Sequence, residues 1–192
     1  MTQNKKIAIT GGIGSGKTAF CNILKSKGYP VFSCDQISKE LRQEEHYLTA
    51  VKAAFPECFD HGTLNKNALA NQIFTDRNAK KILESISHPL IMDRLFFQMK
   101  NHAVSFAEVP LLFENGYEEK FNEVIVILRE QNARIASVMT RNGLTREEVL
   151  LRMESQYDYS RTNEKKYTVI ENNGTLHDLE RKAEEYLCIA RL

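Results

Sequence analysis

Residues Gly11-Gly12-Ile13-Gly14-Ser15-Gly16-Lys17-Thr18 have the types and spacing to grip a chain of phosphates. They fit the pattern G-x-x-x-x-G-K-[ST] in full. Glycines let the backbone wrap closely, so that successive N–H groups point inward at the positive end of a following helix dipole. Lys17 adds a mobile charge for the β and γ phosphates, and the Thr18 hydroxyl is the expected Mg²⁺ ligand. The pattern predicts that Gly12, Ile13, Gly14, Ser15, Gly16, Lys17 and Thr18 bind a nucleoside triphosphate.

Other residues could complete the chemistry. Asp35 follows a short apolar run, where open parallel sheets collect catalytic groups, and could accept a hydroxyl proton. The alternative is an acid stabilising a helix dipole, since Ser33 and Gln36 form an S-x-x-Q capping box around it. Arginines 129, 134, 141, 146, 152 and 161 cluster in a stretch without lysine. Such a stretch suits an arginine-lined lid over a phosphoryl group, or a solvated face paired with Glu130, Glu147, Glu148 and Glu154. Glu108 ends an apolar run, loosely like the acidic element that helps hold Mg²⁺ beside such a loop. His88, before Pro89, could orient a substrate phosphate or simply make a structural hydrogen bond. Asn172-Asn173-Gly174 reads first as turn chemistry, with an exposed backbone beside a nucleotide base as the functional option.

The elements that must position these groups alternate. Strands are expected at 6–10, 29–33, 103–109, 123–128 and 166–171, the run at 123–128 being continuous enough for a central parallel strand. Helices are expected at 18–27, closed by Gly28, and at 35–43, 130–142, 145–156 and 175–191. Thr145 and Glu148 form a capping box. Between 40 and 102 the rhythm breaks into helices at 47–55, 65–74 and 77–87, a polar break at 56–63, and a further helix opened by Pro89 and running to about His102. Five strands with intervening helices give a doubly wound α/β sheet.

The chain of 192 residues suits one globular domain, and its 42% hydrophobic content can bury a core. A net charge of +1 offers no global attraction for nucleic acid or membrane. No apolar run approaches the roughly 18 residues of a membrane span. Cys21, Cys34, Cys58 and Cys188 lie far apart, which indicates a reducing compartment and a cytoplasmic protein.

In this order the pieces resemble dephospho-coenzyme A kinases over nearly the whole chain. The resemblance is carried by I-T-G-G-I-G-S-G-K-T at 9–18, Asp35-Gln36-Ile37, G-T-L-N-K-N-A-L-A-N-Q-I-F-T-D at 62–76 and I-S-H-P-L-I at 86–91. It continues through P-L-L-F-E at 110–114, Gln131 with Arg134, R-M-x-x-Q at 152–156 and N-x-G at 172–174. The chain departs from the pattern at Ser33, at Gln43-Glu44-Glu45, at Lys66, where an arginine is usual, and at Tyr167-Thr168.

The resemblance implies a P-loop NTPase fold: a five-stranded parallel doubly wound sheet, a helical acceptor-binding insertion at about 40–102 and an Arg-rich lid at about 129–162. The core would then be 1–38, 103–128 and 163–192. It implies ATP and Mg²⁺ as cofactors and transfer of the γ-phosphoryl group to the ribose 3′-hydroxyl of dephospho-CoA. Lys17, Asp35 and Arg141 would be catalytic, with Asp35 as the base. Asp35, His88, Leu112 and Arg134 would bind the acceptor, and Asn172 and Gly174 would lie near adenine. The partners are small molecules, with neither nucleic acid nor membrane, and the chain is expected to be a monomer or weak homo-oligomer. A kinase of another small metabolite is the nearest rival. A GTPase switch lacks support, because Asn65-Lys66-Asn67-Ala68 has no Asp for the guanine motif.

Overall fold

The computed structural model describes residues 4–162 and 165–192; residues 163 and 164, at the expected boundary of lid and core, lie outside them. The chain divides into two compact units, Met1–Ser33 with Met99–Leu192, and Cys34–Gln98.

The first unit is built on a parallel sheet of five strands: β1 (Lys5–Thr10), β2 (Val31–Ser33), β5 (Val104–Glu108), β6 (Glu123–Leu128) and β7 (Thr168–Glu171). Their spatial order is β2-β5-β1-β6-β7. Ile7, Ala8 and Ile9 of β1 and Ile125, Val126 and Ile127 of β6 have no exposed surface, as strands covered on both faces require. Helices α1 (Lys17–Ser26) and α8 (Leu176–Ile189) supply Phe20, Ile23, Leu24, Leu179, Ala183 and Leu187 to the same core. From β1 the chain moves outward to β2 on one side, and from β5 it crosses to β6 on the other. The C-terminal end of β1 is therefore the topological switch point, where such sheets open a crevice for ligands.

Helices α6 (Gln131–Asn142) and α7 (Arg146–Glu154) follow β6. Gly143 closes α6 at φ 66°, and the Thr145–Glu148 capping box opens α7. Ile135, Val138 and Val149 form a small core of their own, into which Ile13 packs.

The second unit holds α2 (Cys34–Leu41), α3 (Glu45–Ala54), α4 (Lys66–Thr75) and most of α5 (Arg77–Met99). Its core is Tyr47, Val51, Phe55, Cys58, Leu69 and Ala79. The expected polar break instead carries a short hairpin, β3 (Phe59–Asp60) with β4 (Thr63–Leu64). Both turn residues, His61 (φ 47°) and Gly62 (φ 84°), take the positive φ of a two-residue hairpin turn.

The expected helix boundary at Pro89 is corrected. Helix α5 runs unbroken for 23 residues with Pro89 inside it. Proline removes one backbone donor and costs about 3 kcal/mol in a helix interior. Leu83, Ile86 and Leu90 pack from both sides of Pro89 into one core, and their burial outweighs that cost. Among the described residues no helix is long and apolar enough to cross a membrane.

Phe20 is fully buried where α1 meets the sheet. Phe20→Ala is expected to lower the unfolding free energy by about 3–5 kcal/mol. The check is a urea titration, in which the midpoint falls and the slope stays unchanged.

Candidate active site

The loop from Gly11 to Gly16 joins β1 to α1 at the switch point, and Lys17 and Thr18 open the helix. Buried β-branched residues fix the strand behind it. The α1 amides in front carry the positive end of the dipole.

The Lys17 ammonium donates to the carbonyl oxygens of Gly11 (2.6 Å) and Gly12 (3.2 Å), which folds it back along the loop. The Thr18 hydroxyl donates to Glu108 Oε1 at 2.8 Å, bringing together the expected Mg²⁺ ligand and the carboxylate at the end of β5. Glu108 is 9% exposed. A hydroxyl and a carboxylate are hard oxygen donors, the kind Mg²⁺ takes, so these two residues fit that ion. Among the described residues no group of three or more His, Cys, Asp or Glu is arranged to hold a metal. Mg²⁺ beside a nucleotide characteristically takes one or two protein carboxylates and fills the rest of its shell with phosphate oxygens and water.

The loop is braced from outside by residues of α6, of the segment after α7 and of the turn after β7. Arg134 Nε donates to the Ile13 carbonyl at 2.9 Å, and the Ile13 N–H donates to Gln156 Oε1 at 2.7 Å. Asn172 Nδ2 donates to the Ser15 carbonyl at 2.8 Å. The glycines make room for these contacts. A Cβ on Gly12 would meet the Arg134 guanidinium, and one on Gly16, which also has φ 100°, would meet the Asn172 amide.

Tyr159 lies beneath the start of the loop. Its phenol oxygen is 3.2 Å from the Thr10 hydroxyl and accepts from the Gly11 N–H. Burial pushes its pKa up to about 12, so the group stays neutral beside the loop. Its ring, with Tyr157 and Tyr167, surrounds Phe113 at centroid distances of 4.6–6.0 Å. The Tyr157 N–H donates to Glu114 Oε1 at 2.8 Å. Burial also lowers the Arg134 pKa, with Tyr159 acting the other way, though an arginine stays charged. A cavity of about 500 Å³ opens beside these groups, with Arg129, Arg134, Gln156 and Tyr157 in its walls.

The structure thus gathers Gly12, Ile13, Gly14, Ser15, Gly16, Lys17, Thr18, Arg134 and Asn172 in one place. The Arg134 side chain, expected on the acceptor, lies against the phosphate loop. Leu112, also expected on the acceptor, has no exposed surface and is a core position. Arg141 is exposed in the last turn of α6, where its guanidinium donates to the adjacent Asn142. Gly174 serves the start of α8, since a Cβ there would lie 2.5 Å from the capping carboxylate of Asp178. Asp35 is exposed in the first turn of α2, and His88 is half-buried in α5, both in the second unit.

Tyr159 was not anticipated. It falls in a stretch whose arginines draw the eye, and nothing in its spacing marks it. Gln156 was visible only within R-M-x-x-Q, and Glu108 only as an acid at a strand end.

A family model described as dephospho-CoA kinase matches residues 5–178. A dephospho-CoA kinase of Thermus thermophilus is 37% identical over 177 residues, covering 91% of this chain and 86% of that protein. One from Helicobacter pylori is 31% identical over 193 residues, covering 97% and 98%. Among solved structures, a Thermus thermophilus protein superposes with a TM-score of 0.83 at 36% identity, covering 96% of both chains. A dephospho-CoA kinase from Campylobacter jejuni gives 0.70 at 26% identity, covering 95% of both. A shikimate kinase from Bacteroides thetaiotaomicron, at 0.55 and 10% identity over 98% of this chain and 99% of that one, shares the fold alone.

Gln156→Ala would leave the Ile13 N–H without its acceptor. An unsatisfied, partly buried donor costs about 1–3 kcal/mol, so ATP affinity is expected to fall roughly tenfold. Calorimetric titration with ATP reads this directly, and unchanged affinity would show that the loop holds its shape without Gln156.

Proposed function

The chain belongs to the dephospho-CoA kinase family, and from that premise we propose that it transfers the γ-phosphoryl group of ATP to the ribose 3′-hydroxyl of dephospho-CoA, yielding coenzyme A. The observation that carries the reading is the braced loop, with Lys17 folded along it and Thr18 on Glu108.

The loop amides and Lys17 hold the β and γ phosphates. Lys17 exchanges the Gly11 and Gly12 carbonyls for phosphate oxygens, a short swing of a flexible side chain. Arg134 commits Nε to Ile13 and keeps the other donors of its fork for phosphate. Thr18 and Glu108 would hold Mg²⁺, which when bound offsets charge on the phosphate oxygens. Asp35 accepts a hydrogen bond from the 3′-hydroxyl and takes its proton as the new O–P bond forms and ADP leaves. In a loose transition state this orientation matters more than basicity. His88 contacts the acceptor, Arg141 belongs to the lid, and the Asn172–Gly174 turn faces adenine. The four free cysteines suit a reducing compartment such as the cytoplasm, where the enzyme would work as a monomer or weak homo-oligomer.

ADP release with ATP and Mg²⁺ is the test, with dephospho-CoA, AMP, UMP, shikimate and water offered as acceptors. Turnover is expected with dephospho-CoA alone and coenzyme A as the product; turnover only with another acceptor would discard the reading. Lys17→Ala is expected to lose about 10²–10³ in kcat with the fold intact. Asp35→Asn is expected to lose about 10²–10⁴ in kcat while ATP still binds, and wild-type turnover in that variant would remove Asp35 as the base.

A further inference from the structure

Residues 34–98 contain a cavity of about 160 Å³ that none of the groups above uses. Its walls are apolar: the Tyr47 ring with Leu64, Leu69, Ile73 and Leu83. The one polar end among these side chains is already satisfied. The Tyr47 hydroxyl bonds to Ser87 Oγ at 3.1 Å, and Ser87 donates to the Leu83 carbonyl at 2.8 Å. The cavity therefore takes an apolar group. A space of about 150 Å³ accepts one the size of benzene.

Two exposed cations, Arg42 and Lys66, complete the lining. Among the described residues neither side chain has an ion pair or a hydrogen bond. Of the other cations among the described residues of this unit, Arg94 pairs with Glu44 at 2.9 Å and Lys80 with Glu84 at 3.8 Å, while Lys39, Lys52, Arg77 and Lys81 form no ion pair; what sets Arg42 and Lys66 apart is their place on the cavity wall. Lys66 is also the first residue of α4, a ten-residue helix whose N-terminus adds partial positive charge. An apolar pit with uncompensated positive charge beside it fits an apolar group joined directly to an anion.

Resting on the acceptor reading above, we propose that this cavity is the subsite for the diphosphate and the adjoining geminal dimethyl group of dephospho-CoA. Arg42 and Lys66 meet the diphosphate, and the quaternary carbon with its two methyls fills the pit. The spacing along α2 agrees. Arg42 follows the helix directly, its N–H still donating to the Ser38 carbonyl, and Asp35 stands seven residues earlier. At about 1.5 Å per residue, the two are about 10 Å apart along the helix. In the acceptor, the quaternary carbon lies ten bonds from the 3′-oxygen, a reach of about 12 Å at the roughly 1.2 Å per bond of an extended chain. Helix α2 thus spans the distance from the reacting hydroxyl to the branched carbon. A nucleoside monophosphate has nothing to place in the pit, so the subsite selects against it.

The experiment measures KM for dephospho-CoA and for ATP separately in Arg42→Ala, Lys66→Ala, Lys66→Arg and Ala70→Phe. Ala70 lines the cavity, so Ala70→Phe fills it and leaves the charges in place. Each alanine variant and Ala70→Phe are expected to raise KM for dephospho-CoA about tenfold, with KM for ATP within about twofold, and Lys66→Arg to recover most of the loss. Wild-type KM for dephospho-CoA in the alanine variants and Ala70→Phe would overturn the subsite and leave the acceptor reading standing. Equal rises for both substrates would mark a structural effect and also overturn it. A wild-type enzyme inactive on dephospho-CoA would overturn the acceptor reading itself.

Discussion

The site depends on how one residue, Ile13, is held through the peptide groups on either side of it. Its carbonyl accepts from Arg134, its N–H donates to Gln156, and its side chain packs among Ile135, Val138 and Val149. A phosphate loop needs glycines, and glycines give up more conformational entropy on ordering than any other residue, at least 1–2 kcal/mol each. The loop has few side chains with which to order itself. Order is imposed from outside, by groups that enter where Cβ atoms are missing, and Ile13 is the handle they use. The region expected to act as a lid is therefore also a scaffold. Movement of α6 would reach the phosphate loop through Ile13 and through the close contacts of Arg134 and Val138 with Gly12 and Gly14, and movement of the Gln156 segment through Ile13.

The sheet supplies the other fixed distance. Glu108 is paired in register with Ile9 of β1, and Thr18 stands on the helix that follows β1. Parallel register between buried strands is strongly specified, because a slip of one residue would turn Glu108 to the opposite face. The hydroxyl–carboxylate separation of 2.8 Å is thus set by core packing around Ile7, Ile9 and Phe106. Tyr159 works to the same end from below. It satisfies the first N–H of the loop with a neutral phenol and adds no negative charge where phosphates must sit.

Much of this was legible in the sequence, and the gaps have physical causes. The phosphate loop, the parallel sheet and the caps at Gly28 and Thr145 follow from local geometry that a short window of sequence encodes. Pro89 misled because a local rule, that proline opens a helix, was overridden by the burial of Leu83, Ile86 and Leu90. The hairpin at 59–64 was hidden in a polar stretch, since its signal is two residues, His61 and Gly62, and strands of two residues each. Arg134 was singled out, but its direction was not, because a helical residue seven positions from Arg141 and eight from Asn142 gives no sign of which face meets a loop 121 residues away. Tyr159 and Gln156 act over separations of more than 140 residues, which no spacing rule reaches.

The two units divide the chemistry. Every group assigned above to the nucleotide, from Gly12 to Asn172, belongs to the sheet unit, whereas Asp35, Arg42, Lys66 and His88, assigned above to the acceptor, belong to residues 34–98. Under the proposed assignments, donor and acceptor recognition draw on different side chains. The Bacteroides thetaiotaomicron shikimate kinase shares the fold at 10% identity, which shows how little of the sequence this fold demands. On that division, a change of acceptor would ask for new residues in the helical unit and none in the loop. In the proposed mechanism Asp35 would join these roles; it stands two residues beyond the end of β2, in the first turn of the helix that leads to Arg42. Under the proposed roles of Asp35 and Arg42, the length of α2 would make choice of acceptor a matter of length as well as charge, and length is the property that distinguishes a dinucleotide-like substrate from a nucleoside monophosphate.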